Sequence, residues 1–316
     1  MEVNSFMEWR KSELKKIIFM LMVLIAGTVH GENITYKKNK KILTSIQSVY
    51  SIAKSLTEGT NIEVYSIFDS DVSMDYGKSA FDNKDLDLSS AKDAVAVVDV
   101  ARVWGNDYLY EYARRKNIRI IEIDASYSFS GNDYLSLSLL NYKNGDSNPY
   151  VWMSFQNVIK MANIIADDLS ELFPEDSKRI EDNLINFSQE IKEIENGYLE
   201  KTLDLSSLSV ITLTENLDYL FNDLNIFFNY VDSNELTVEK ISEVMKRNNS
   251  KIFVSDRWIK KEIINEIEKK GGKFLVLDNF NIPRELNEKM DPDGYLKGMK
   301  ENMEKLVEVM KIMDKK

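Results

Sequence analysis

The sequence predicts an α/β protein of two lobes, each built on a parallel sheet, joined by one long helix. Three observations carry this expectation. Short aliphatic runs such as AVAVVDV at 94–100 and KFLVLD at 273–278 have the length and β-branched content of strands buried on both faces. Helix-period segments alternate with these runs, the order that yields parallel crossover units. Between the two alternating stretches, residues 174–203 read as a helix with few breakers, about 40 Å long at 1.5 Å per residue.

In chain order, the segment KILTSIQSVYSIAKSLTEGTNIEVYSIF from Lys41 predicts a strand, a helix over 46–56, a turn at Gly59 and a strand over 62–68. The strand at 94–100, a helix over 108–116 and the strand IRIIEI at 118–123 complete a first lobe. The helix predicted over 156–173 spaces Val158, Met161, Ala162, Ile165 and Leu169 along one face, and Pro174 suits the start of the next helix rather than its interior. A second lobe follows: strand 209–213, helix 217–224, strand 226–230, and a helix over 237–248 with Thr237 as candidate cap. Strand 251–255, helix 259–270 stopped by Gly271-Gly272, strand 273–278 and a last helix over 295–313 close the chain. The boundaries expected are 32–173 for the first lobe, 174–204 for the linking helix and 205–316 for the second lobe. No repeat with a period of 20 to 50 residues is evident, and a distant likeness of the two lobes stays open.

Composition narrows the function. The 43% hydrophobic and 10% aromatic content is that of a folded chain, and 316 residues suffice for two cores. With 52 acidic against 41 basic side chains, phosphate-backbone binding is disfavoured and no nucleic-acid partner is expected. Arg10, Lys11, Lys15 and Lys16 precede the apolar run IIFMLMVLIA and then GTVHG, the three parts of a secretory signal peptide, with a cut expected after Gly31. The alternative is a retained anchor, but the run is about half the roughly 20 apolar residues that a hydrocarbon core requires. No cysteine follows the run to carry a lipid, so an exported, periplasmic protein is expected. The one histidine of the chain, His30, falls within this segment, and there is no cysteine anywhere. A mature chain without His or Cys excludes histidine-based triads and HExxH hydrolases, and no Walker, GxGxxG or GxSxG motif occurs. An enzyme is not expected.

Four segments resemble one family: KILTSIQSVYSIAKSLTEG, NPYVWMSFQNVIKMANIIADDL, TENLDYLFNDLNI and KFLVLDNF. In order and spacing, from Lys41 to about Met310, they are similar to the zinc- and manganese-binding solute-binding proteins of ABC importers, the type of ZnuA, TroA and PsaA. NPYVWMS stands where that family reads Asp-Pro-His-x-Trp. The resemblance implies a metal held between the lobes by three histidines and one carboxylate, or two of each. Carried across, the first histidine falls near Met74, the second on Tyr150 and the third on Thr214, with Glu215 beside it, while the carboxylate is kept as Asp278. Three of the four implied ligands are replaced, and no imidazole or thiolate remains for a zinc site of ordinary composition.

Two kinds of ligand stay open. Tyrosine and carboxylate oxygens suit one hard divalent or ferric metal ion, with Asp75, Tyr76, Glu215 or Asp256 able to add oxygen donors. Alternatively, Met74 and Tyr150 pack together and the cleft takes a small organic molecule or chelate, which Arg102 and Trp104 in VARVWGNDY, or Asp256-Arg257-Trp258, are suited to hold. Arg102 has a plain surface reading and Trp104 a plain core reading beside these. The function expected is that of a monomeric solute-binding protein serving an ABC permease in the inner membrane. Its rival is an interaction protein, an adhesin or sensor subunit, on the same fold.

Overall fold

The structure is a computed structural model that describes residues 40–68, 72–82, 89–128, 133–287 and 289–315. The expected signal peptide, with His30, lies outside the described residues. No helix among the described residues is long and apolar enough to cross a membrane.

Two four-stranded parallel sheets carry the fold. In the first, β1 (Lys41–Thr44), β2 (Glu63–Ser66), β3 (Ala96–Asp99) and β4 (Ile121–Asp124) lie in the order β2-β1-β3-β4. In the second, β5 (Ser209–Thr212), β6 (Phe227–Tyr230), β7 (Ile252–Ser255) and β8 (Lys273–Val276) lie in the order β6-β5-β7-β8. The two sheets therefore share one topology. Alternate side chains of the central strands enter different cores, as a period of two requires. Ile42 and Val98 face the main core and Leu43 and Val97 a smaller one; in the second sheet Val210 and Val254 face the main core, and Ile211 and Phe253 a third.

The helices α1 (Gln47–Leu56), α2 (Lys78–Phe81), α3 (Leu109–Lys116), α4 (Phe155–Leu172), α5 (Ser177–Thr202), α6 (Asp218–Asp223), α7 (Ile241–Asn248), α8 (Lys261–Lys269) and α9 (Gly294–Asp314) cover these sheets. The main core contains side chains of α1, α4, α5 and α9 together with strands of both sheets, so both lobes draw on one apolar interior. The long helix is present as α5, 26 residues or about 39 Å, and it packs on α4, α9 and α1. It starts at Ser177 rather than at Pro174. The Pro174 carbonyl accepts the Ser177 hydroxyl at 2.9 Å in the turn before it.

Several expected boundaries are corrected. The last strand ends at Val276, so Asp278 stands two residues beyond it in the following turn. Thr237 gives no side-chain cap; a 3-10 turn over Val238–Lys240 leads into α7 instead. A two-residue hairpin, β9 (Glu285–Leu286) and β10 (Lys289–Met290), was not expected, because its strands are too short to show alternation.

Candidate ligand-binding cleft

In an open parallel sheet the strand order reverses direction at one point, and the carboxyl ends of the strands there border a crevice. Those points are β1/β3 and β5/β7. At the second, Thr214 follows β5 and Asp256 follows β7, and the Thr214 hydroxyl donates to Asp256 Oδ2 at 3.2 Å. The same carboxylate oxygen accepts from Asn216 Nδ2 at 2.7 Å and from Asn279 Nδ2 at 2.8 Å, while Oδ1 pairs with Arg257 Nε at 3.2 Å. Asp256 is thus a buried hub, its side chain 2% exposed, tying together the turns after β5, β7 and β8. The β1/β3 point has a parallel device: Ser45 donates to Asp107 Oδ1 at 3.0 Å.

The turn 148–153 brings the first lobe to this hub. Asn148 Oδ1 accepts the Tyr150 amide at 3.0 Å and Asn148 Nδ2 donates to the Glu215 carbonyl at 2.8 Å. Trp152 Nε1 donates to the Asn279 carbonyl at 3.0 Å, and the Met74 amide donates to the Asn281 carbonyl at 2.9 Å. Asn281 Nδ2 donates to Asp75 Oδ2 at 2.9 Å, which fixes the amide and leaves its buried Oδ1 without a partner. Tyr150 is 6% exposed, and its hydroxyl makes no hydrogen bond among the described residues. Burial first, then the charges of Asp75, Tyr142 and Asp256, push the Tyr150 phenol well up, so it is an O–H and not a phenolate at neutral pH. Arg257 is held cationic by its bond to Asp256 and by Asp75, and its two Nη groups have no acceptor among the described residues.

Of the residues the sequence singles out, Tyr150 and Asp256 meet here with Thr214. Thr214 is committed to Asp256. Glu215 lies on the seam, its Oε1 accepting the Lys143 amide at 2.8 Å. Met74 is buried in the main core. Asp278 has its contacts elsewhere. Its Oδ1 accepts the Phe280 amide at 2.8 Å, its Oδ2 lies 3.7 Å from Arg284 Nη1, and its backbone amide donates to Asn302 of α9. Phe280 has φ 62°, and this tight turn holds the Asp278 carboxylate toward Arg284 and α9. The acids in the field of Tyr150 are Asp75 and Asp256 instead. Arg102 stacks over the Tyr127 ring at 4.0 Å, and Trp104 is half-buried against the main core. The amides of Asn216, Asn279 and Asn281 were missed. The alternation in DNFN at 278–281 is the signal that marks two of them.

Among the described residues no group of three or more acidic side chains is close enough to hold a metal ion. The cleft offers two oxygen acceptors, Asp75 and Asn281 Oδ1, beside two hydrogen-bond donors, the Tyr150 hydroxyl and the Arg257 fork.

Comparison with known proteins agrees with this architecture. The chain is 22% identical to the zinc-binding protein AdcA of Streptococcus pyogenes serotype M1; the match covers 96% of this chain and 59% of that protein, so the chain spans well under two thirds of its relative's length. The fold is similar to that of the solute-binding protein FpvC from Pseudomonas aeruginosa, solved with Mn2+: TM-score 0.67 at 17% identity, over 87% of this chain and 100% of that one. It is similar also to the Zn(II)-bound ZnuA-like domain of AdcA from Streptococcus pneumoniae, with TM-score 0.65 at 17% identity over 86% of this chain and 99% of that one. The model of the ZnuA family, zinc-uptake complex component A, periplasmic, matches residues 42–309. The chain therefore belongs to the ZnuA family.

Proposed function

We propose that this chain is the exported, monomeric solute-binding component of an ABC importer, which holds its cargo between the lobes and passes it to a permease in the inner membrane. The cargo is one divalent or ferric ion that keeps part of its own ligand shell. The observation that carries this is the donor set at Tyr150. A bare Zn2+ wants four nitrogen, sulfur or carboxylate ligands, and a harder ion wants about six oxygens. Here Asp256 is already shared among four protein groups, and the free groups include a protonated phenol and a guanidinium. Such donors complement the oxygens of an ion's accompanying ligands, while Asp75 and the Asn281 carbonyl face the cation.

Thermal unfolding of the chelator-treated, dialysed protein tests this, with Mn2+, Zn2+ and Fe3+ supplied either alone or as citrate complexes. Cargo at about 1,000 times its dissociation constant adds about 4 kcal/mol, a rise of several degrees for a chain of this size. The complex of at least one ion is expected to give that rise and the bare ion a smaller one. A larger rise with bare Zn2+ would overturn the partly coordinated cargo. No rise with any would favour an adhesin or sensor role.

A further inference from the structure

Beside the hub, an open cavity of about 1060 Å³ lies at the carboxyl ends of β5, β6 and β7, lined also by the segment 142–144. Bound small molecules occupy pockets of about 300–1,000 Å³, so this volume is far beyond what one ion needs. We infer that this cavity receives the organic, anionic part of the cargo, an oxygen-donor chelator bearing carboxylates, and that Arg257 is its anchoring residue. The inference rests on the reading of the cargo as a partly coordinated ion.

Arg257 joins the two places. It lines the cavity, yet it is in the field of Tyr150 and Asp75 across the cleft. Its Nε is fixed by Asp256, which is itself immobilised by Thr214, Asn216 and Asn279. The guanidinium is pre-oriented, 63% of its side chain is exposed, and both Nη groups remain for a bidentate carboxylate. An ion at Asp75 and Asn281 would thus have its chelator beside Arg257.

The other walls suit the same guest. Trp258 is 76% exposed, with its ring 6.0 Å from that of Phe274, and leaves indole surface for a planar group. Lys143 Nζ stands 4.3 Å from the Tyr230 ring centroid and, with Lys260 and Arg257, puts three cations on a wall that also carries Glu215, Asp232, Glu239, Asp256 and Glu262. Most acids of the wall are used in local bonds. Glu215 accepts the Lys143 amide, Asp232 accepts the Asn234 amide at 2.8 Å, and the pKa of Glu239 is lowered by its own backbone amide and Thr237. Glu262 sits in the first turn of α8.

The test is calorimetric titration of the dialysed protein with Fe3+–citrate, citrate alone and Mn2+ alone, for wild type, Arg257→Gln and Trp258→Ala. Both side chains are largely exposed, and the thermal midpoint of each variant checks its folding. Fe3+–citrate is expected to bind, at least tenfold more weakly to Arg257→Gln and several-fold more weakly to Trp258→Ala. Undiminished Fe3+–citrate binding by both variants would overturn the cavity and leave the cargo reading standing. Citrate alone binding as tightly as its iron complex would uphold the cavity and overturn the metal-bearing cargo. Binding of Mn2+ but of neither citrate species would overturn both.

Discussion

Asp256 and Asp278 are both carboxylates just beyond strands of the second sheet, yet they carry different loads. Removing the Asp256 side chain strands an amide on each of Asn216 and Asn279, a hydroxyl on Thr214 and a guanidinium. Breaking a buried, multiply bonded charge of this kind costs about 3–5 kcal/mol. Asp278 loses one turn bond and a 3.7 Å contact to a partly exposed arginine, about 1 kcal/mol in all. Urea unfolding of Asp256→Ala and Asp278→Ala should therefore separate by at least 2 kcal/mol, and Asp278→Ala should keep the cargo affinity of the wild type. Equal losses, or lost binding in Asp278→Ala, would return the carboxylate role to Asp278. The family resemblance offers Asp278, at the end of the predicted strand 273–278, as the carboxylate ligand. It does not reveal that Phe280 would adopt a left-handed conformation and turn that carboxylate toward Arg284. Tyr150 and Asp256 were legible from motif and strand end; of the asparagines bonded to Asp256, Asn279 has the DNFN alternation as its one signal and Asn216 has none.

At the scale of elements, the central strands β1, β3, β5 and β7 were readable because each is a short run buried on both faces, and the turns between strands were the obscure part. The turn from β3 to α3 is held by buried acids. Asp99 is fully buried and neither of its oxygens has a partner in good hydrogen-bond geometry. Burial, then Asp107, Asp124 and Glu122, push its pKa well up, with only the Ala101 amide opposing. Burial likewise raises Asp107 to about 6, against the bonds from Ser45 and the Val100 and Leu109 amides. For a carboxylate raised in the folded state, the native form binds more protons than the unfolded one between the two pKa values, so stability grows as pH falls from about 6 toward 4. For Asp107 alone this is about 2–3 kcal/mol, at 1.36 kcal/mol per unit. Asp99→Asn removes the charge at nearly constant volume. It should be more stable than wild type at pH 7.5 and show a flatter dependence between pH 5 and 7.5, read from urea midpoints. A less stable variant with an unchanged slope would mean that Asp99 is charged and paired.

The whole molecule looks divisible in sequence, with two α/β stretches about one helix, but the packing joins it. The main core draws on β1 and β3 of one sheet and β5, β7 and β8 of the other, with α5 lying against α1, α4 and α9. Buried bonds cross the seam as well: Trp152 Nε1 to Asn279, Asn148 to Glu215, and the Tyr219 hydroxyl to the Asn148 carbonyl at 3.0 Å. Neither half can open without exposing apolar surface of the other. Opening one lobe alone therefore costs much of what global unfolding costs, and the lobes are coupled strongly enough to confine closure to small rotations. Calorimetric unfolding should then be a single transition with equal calorimetric and van't Hoff enthalpies. Trp152→Phe, which removes one seam bond and leaves space where the larger indole was buried, should lower stability by about 2–4 kcal/mol without splitting it. Two resolved transitions in the wild type would show that the lobes unfold separately. The long helix would then be a tether between independent domains rather than part of a shared core, and cargo would stabilise the two by different amounts.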